Sequence, residues 1–84
     1  PQHKPLSFDE RKNVIIYGTG AMGIQLLRAL NETGQYRTVA FIDNDPSLAG
    51  QVVHGVKVVR PNKIAKVISH ENVKEVMLAL PSKK

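Results

Sequence analysis

Three glycines, Gly18, Gly20 and Gly23, stand two and three residues apart, directly after the apolar run Val14-Ile15-Ile16-Tyr17. The chemistry open to that spacing is anion binding. A strand that turns sharply into a helix aims unpaired backbone N–H groups at a ligand, and the helix dipole adds partial positive charge. Each glycine has its own task in such a turn. Gly18 permits the tight bend, Gly20 leaves room for a pyrophosphate, and Gly23 lets the helix pack close to the strand. The expected phosphate cradle is therefore Gly18-Thr19-Gly20-Ala21-Met22-Gly23. Thr19 either adds a hydroxyl contact or is a plain turn residue, and the residues alone leave both roles open.

Asp43 ends a second apolar run, Thr38-Val39-Ala40-Phe41-Ile42, and lies 20 residues past Gly23. In this context an acid accepts hydrogen bonds from an adenosine ribose and repels a 2′-phosphate, which selects NAD over NADP. The competing role for Asp43 is to cap the turn over Pro46-Ser47. Asn44 and Asp45 read as turn residues, with Asn44 also within reach of the adenine side. Pro81 and Ser82 close the final apolar run, Glu75 to Leu80, on the same edge. Ser82 either touches a ribose or phosphate or simply ends a strand. NAD is the expected ligand; CoA or another adenosine nucleotide fits the same turn.

Catalytic groups are harder to find. His3, His54 and His70 show no metal-ligand spacing with one another or with the acids. No GxSxG nucleophile elbow is present. Neither Tyr17 nor Tyr36 is followed by lysine four positions later; Ala21 and Ala40 stand there. No catalytic residue and no metal ligand is assigned.

The elements that must position this turn follow from periodicity. Val14 to Tyr17 reads as a strand buried on both faces. A helix follows from Ala21 to about Leu30, with Gly23, Leu26, Leu27 and Leu30 on one face and Gln25, Arg28 and Glu32 on the other. Gly34 is its expected stop. Thr38 to Ile42 is the second strand. Val52-Val53, Val56-Lys57-Val58 or both supply the third. Pro61 opens a second helix with Ile64, Ala65 and Ile68 inward and Lys63, Lys66 and His70 outward. Glu75 to Leu80 is the last strand.

Strands alternating with helices imply an α/β, Rossmann-like three-layer module with a parallel sheet in the order 3-2-1-4. Residues 1–12 read as a linker and 13–84 as the nucleotide-binding domain, truncated at its C-terminus and so a fragment of a larger domain. That truncation leaves the last strand as an open edge with Met77 and Leu78 uncovered, a surface suited to self-association.

Composition narrows the class further. The 84 residues are 42% hydrophobic and 23% charged, an ordinary globular balance. There is no cysteine, hence no disulfide framework, thiolate zinc site or cysteine nucleophile. The net charge of +5 is scattered along the chain without interleaved aromatics, so no nucleic-acid partner is expected. No apolar run approaches the ~20 residues of a membrane span, so any membrane link belongs to segments outside these residues.

The runs Val14 to Gly20, Leu26 to Leu30, Phe41 to Leu48, His54-Gly55-Val56 and Glu75 to Ser82 together resemble the N-terminal soluble domain of CapD-like polysaccharide-biosynthesis proteins. The similarity spans about Lys12 to Ser82. It implies a parent that is a nucleotide-sugar epimerase or dehydratase, anchored in the inner membrane with this domain on the cytoplasmic side. A following dehydrogenase-type domain carries the catalysis on UDP-linked amino sugars with bound NAD, typically 4,6-dehydration. Lys57 departs from the family, which often has proline there. The same turn and last strand are also similar to the NAD(H)-sensing domain of Rex-type redox repressors and to the N-terminal domain of sugar-nucleotide acetyltransferases.

Overall fold

The computed structural model describes residues 10–80. Five strands and two helices run in the order β1 (Lys12–Tyr17), α1 (Ala21–Thr33), β2 (Tyr36–Ile42), β3 (Val52–Val53), β4 (Val56–Val59), α2 (Ile64–His70) and β5 (Glu75–Leu78). They form one sheet in the spatial order β3-β4-β2-β1-β5. Three pairings are parallel, β1 with β2, β1 with β5 and β2 with β4. The expected order 3-2-1-4 holds, with β4 as the third strand and β5 as the fourth. The extra piece, β3, turns back antiparallel on β4 through His54-Gly55 and forms the outer edge.

The central strand explains why its sequence is apolar without alternation. Val14, Ile15 and Ile16 have no exposed surface, because β1 is flanked by β2 and β5 and covered on both faces. On one face, Leu27 and Leu30 of α1 pack with Val14, Ile16, Phe41, Val58 and Ala79. On the other, Ile64 and Val67 of α2 lie against Ile15, Ala40 and Ile42. Each of the fully buried Val14, Ile15, Ile16, Phe41, Ile42 and Val58 contributes about 1.5–3 kcal/mol relative to the exposed side chain.

Two local features depart from a regular ladder. The β1–β2 register slips between Val14, which pairs with Thr38, and Ile15, which pairs with Ala40, so that Val39 is the extra residue of a bulge. Val39 and Ala40 consequently both belong to the face covered by α2.

The second helix also differs from its expected phase. Pro61–Lys63 form a 3-10 turn before α2 begins. Its tighter winding of ~3 residues per turn rotates the face that follows. Ile64 and Val67 turn inward, whereas Ala65 and Ile68 are exposed. Lys63, Lys66 and His70 are exposed as expected. The first helix keeps its expected inner face of Gly23, Leu26, Leu27 and Leu30 but runs one turn longer, to Thr33, where Gly34 ends it. On β5, Leu78 is 73% exposed, as anticipated for the last strand, whereas Met77, expected to be uncovered too, is half-buried against the core on the α1 face.

Candidate functional site

The glycine turn lies at the carboxyl end of β1, where the chain winds to β2 on one side and β5 on the other. Gly18 donates its N–H to the Ile42 carbonyl at 2.7 Å, and Ala79 donates to the Tyr17 carbonyl at 2.8 Å. The turn is thus fastened to both neighbouring strand ends, at the switch point where open α/β sheets bind ligands. The backbone φ of Gly18 is +116°, and a Cβ there would stand 2.6 Å from the Ala79 carbonyl oxygen. Both the dihedral and the close approach demand glycine.

Gly23 is demanded for a different reason. A Cβ on it would fall 1.9 Å from the Gly18 carbonyl oxygen. This contact seats the first turn of α1 directly on the glycine turn. The first α-helical bond runs from the Ile24 N–H to the Gly20 carbonyl at 3.0 Å. No side chain caps the helix, and no acid lies in its first turn. The N–H groups ahead of Ile24 are therefore available to an anion. Ala21 and Met22 are exposed, as is Leu80 across the turn.

Gly20 answers to no contact among the described residues. Its backbone is extended, with φ −75° and ψ −165°, and a Cβ added to it would meet nothing within 4 Å. Any residue could adopt this conformation. Its lack of a side chain keeps clear the space in front of the helix N-terminus.

Asp43 sits beside this turn, half-buried at the end of β2. Its Oδ2 accepts from the Thr19 hydroxyl at 2.6 Å and from the Thr19 N–H at 3.1 Å. Its Oδ1 accepts from the Asp45 N–H at 2.9 Å. Partial burial pushes the carboxyl up, but hydrogen bonds from the Thr19 hydroxyl and the N–H groups of Asp45, Thr19 and Asn44 outweigh it. The net position is below the ordinary 3.8. Thr19 thus engages Asp43 directly. The turn over Pro46-Ser47 is capped by Asp45, whose Oδ1 accepts from the Ser47 N–H at 2.9 Å and hydroxyl at 2.8 Å.

The Tyr17 hydroxyl donates to Asn44 Oδ1 at 2.6 Å and ties together the ends of β1 and β2. Residue type gives no sign of this bond; the position of Tyr17 opposite Ile42 in the parallel register is what brings Asn44 within reach. Pro81 and Ser82 lie outside the described residues.

The Thr19–Asp43 pair gives a testable pH dependence. A carboxyl held below its unfolded value stabilises the fold fully above about pH 4, and that contribution is lost as the pH falls through the folded value. Thr19→Val removes the hydroxyl donor. The expected result is a lower melting temperature at pH 7 than the native chain, with the gap closing towards pH 2.5 as Asp43 protonates in both. A gap that stays constant between pH 7 and 2.5 would show that Asp43 is not the partner that matters.

Residues 10–75 match the family described as C2185-like, N-terminal. The chain belongs to this family. Among solved structures, it is similar to UDP-D-quinovosamine 4-dehydrogenase from Vibrio fischeri, with 32% identity and a TM-score of 0.82. That match covers 88% of this chain and 61% of the other. It is also similar to RSP, a Rex-family repressor, at 22% identity and TM-score 0.78, over 89% of this chain and 36% of the repressor. RSP in complex with β-NADH gives 22% identity and TM-score 0.75, over 90% and 37%. The repressor likeness shows the fold alone. The chain spans about three fifths of the dehydrogenase structure and little more than a third of the repressor. Comparison with curated protein sequences finds no match. The Rossmann-like fold expected from the glycine turn is the fold these neighbours share with the C2185-like domain.

Proposed function

We propose that this C2185-like domain binds NAD at its glycine turn and serves a nucleotide-sugar-modifying enzyme of polysaccharide biosynthesis. The parent reaction would be 4,6-dehydration, epimerisation or dehydrogenation of a UDP-linked amino sugar. The observation that carries the reading is Gly20. Nothing among the described residues requires glycine there, and the space it leaves open adjoins the N-terminus of α1, which no described side chain caps. A pyrophosphate needs that approach.

The residues fit the cofactor in named roles. The N–H groups of Ala21 and Met22 would meet the pyrophosphate. Asp43, positioned by Thr19, would accept from the adenosine ribose. Asn44, held by Tyr17, would border the adenine side. NAD, when bound, supplies a hydride acceptor. No group of this chain is assigned to the sugar, so the catalytic residues belong to a further dehydrogenase-type domain of the parent protein. That parent would be membrane-anchored, with this domain on the cytoplasmic side. The 32% identity to a UDP-sugar dehydrogenase structure, against 22% to a repressor, favours this reading over an NAD(H) sensor. The NADH complex of the repressor keeps the sensor as the second reading.

Mass spectrometry of ligand released from the purified protein, followed by calorimetry with NAD, NADH, NADP and CoA, tests the assignment. Binding of CoA alone would overturn the cofactor. A large preference for NADH over NAD would favour the sensor.

Asp43 carries the choice between NAD and NADP. The native chain should bind NAD at least about tenfold more tightly than NADP, a difference of roughly 1.4 kcal/mol. Asp43→Ser should narrow that ratio by removing both the ribose acceptor and the charge facing a 2′-phosphate. Equal affinity of the native chain for the two cofactors would remove Asp43 from the site.

A further inference from the structure

We infer that the domain holds a second small-molecule site, for an oxyanion, at the opposite end of the sheet from the glycine turn. A cleft of about 390 Å³ opens there, lined by residues that include Arg11, Arg37, Lys57, Thr38 and Tyr36. Arg11 precedes β1, and Tyr36 and Arg37 open β2, whereas the glycine turn follows the far end of β1. The six residues of β1 separate the two ends, roughly 20 Å at ~3.3 Å per residue.

Three observations point to an anion. The lining contains three cationic side chains and no carboxylate. Arg37 is held by Glu71 at 3.6 Å, whereas Arg11 and Lys57 have no ion pair among the described residues. In addition, two lining residues carry buried polar atoms without a partner, Arg11 Nε and Thr38 Oγ1. A buried donor left unpaired costs about 1–3 kcal/mol, so each of these lining residues gains a bond if a small side-chain shift turns its polar atom towards a ligand in the cleft. A guanidinium, an ammonium and a hydroxyl together are the donor set for phosphate or carboxylate oxygens.

The remaining lining includes Leu27, Val39 and Val56. The volume lies at the lower end of the ~300–1,000 Å³ range of small-molecule pockets. A bare ion would leave much of it empty. The ligand class is therefore a small organic molecule with one phosphate or carboxylate group and an apolar or ring portion. The site is independent of the NAD assignment, because no residue is shared with the glycine turn.

The test is an amide-resolved NMR titration of the 84-residue chain with inorganic phosphate, acetate and phenyl phosphate in chloride buffer. Saturable shifts are expected at Arg11, Thr38, Val56 and Lys57. Those residues report this cleft separately from Gly18 to Gly23, where phosphate would also shift the amides. Phenyl phosphate should bind more tightly than inorganic phosphate if the apolar lining takes part. Tighter binding of phosphate than acetate identifies a phosphate ester; the reverse identifies a carboxylate. The double variant Arg11→Gln with Lys57→Gln should weaken binding by about tenfold or more, as expected for losing charge-assisted hydrogen bonds. Thr38→Val should raise the melting temperature in anion-free buffer, by removing an unpaired hydroxyl, and weaken the anion-dependent shifts. The absence of saturable shifts at the cleft with all three probes, or shifts unchanged in both the double variant and Thr38→Val, overturns the site.

Discussion

Gly20→Val should lower the affinity for NAD by about 100-fold, a loss of roughly 2.7 kcal/mol, while leaving the fold in place. The two halves of this result have separate causes. The isopropyl group would enter the space in front of the α1 N-terminus and hold a pyrophosphate away from the N–H groups of Ala21 and Met22. Among the described residues an added Cβ has no neighbour within 4 Å, and the backbone is already extended at φ −75°. Gly20→Ala is the milder companion. It should keep or slightly raise stability, by up to about 1 kcal/mol, through loss of freedom in the unfolded chain. Calorimetry with NAD and a thermal melt on the same samples separate the two effects. Unchanged NAD affinity in Gly20→Val would show that the turn is not the phosphate site. A cooperative melt lost in Gly20→Val would show that Gly20 is structural after all.

Gly23→Ala should do the reverse and damage the fold first. Its methyl group would lie 1.9 Å from the Gly18 carbonyl oxygen and 2.9 Å from the Gly18 carbonyl carbon. Both are backbone atoms of a turn fastened to Ile42 by a 2.7 Å hydrogen bond, so there is no flexible side chain to swing aside. The helix must lift from the turn. Overpacking of this kind costs about 1–3 kcal/mol when neighbours can adjust, and more when they cannot. A loss of about 3 kcal/mol corresponds to roughly 12–24 °C in melting temperature for a domain of this size. The total stability of such a domain is only ~5–15 kcal/mol, so a loss of about 3 kcal/mol removes roughly a fifth to three fifths of it. A melting temperature within about 4 °C of the native chain would mean that α1 does not rest on Gly18. Side by side, Gly20 and Gly23 variants separate a glycine kept for a ligand from one kept for packing.

Much of this architecture is legible in the residues because the signals are local. Three apolar residues in succession mark Val14 to Ile16 as a strand buried on both faces. The spacing of Gly23, Leu27 and Leu30 sets the inner face of α1. The glycine turn joins the two, and right-handed crossovers fix the strand order around it. The second helix shows where such reading stops. The sequence pattern puts Ile64, Ala65 and Ile68 on the inner face, whereas the 3-10 turn at Pro61–Lys63 sets a phase that turns Val67 inward with Ile64. That turn changes the rotation by a fraction of a residue, too little to leave a trace in seven residues of hydrophobic pattern.

By itself the sequence determined that a glycine turn lies between a strand and a helix, and that an acid ends the neighbouring strand. These follow from residue type and spacing, because backbone freedom at glycine and period in apolar runs are properties of the local chain. Only the tertiary structure decided what each residue of the cradle answers to. Gly18 and Gly23 are held to glycine by backbone atoms of other segments, and Gly20 is not. Thr19 spends its hydroxyl on Asp43, and Asp45 rather than Asp43 caps the following turn. The parallel register sets Tyr17 opposite Ile42 and so beside Asn44. The same register, slipped by one residue at Val39, set the arrangement of β2 at the far end of the sheet. Hydrogen-bond partners and steric contacts between residues 24 or more positions apart depend on how strands align in space, and alignment is a property of the packed sheet rather than of any run of residues within it.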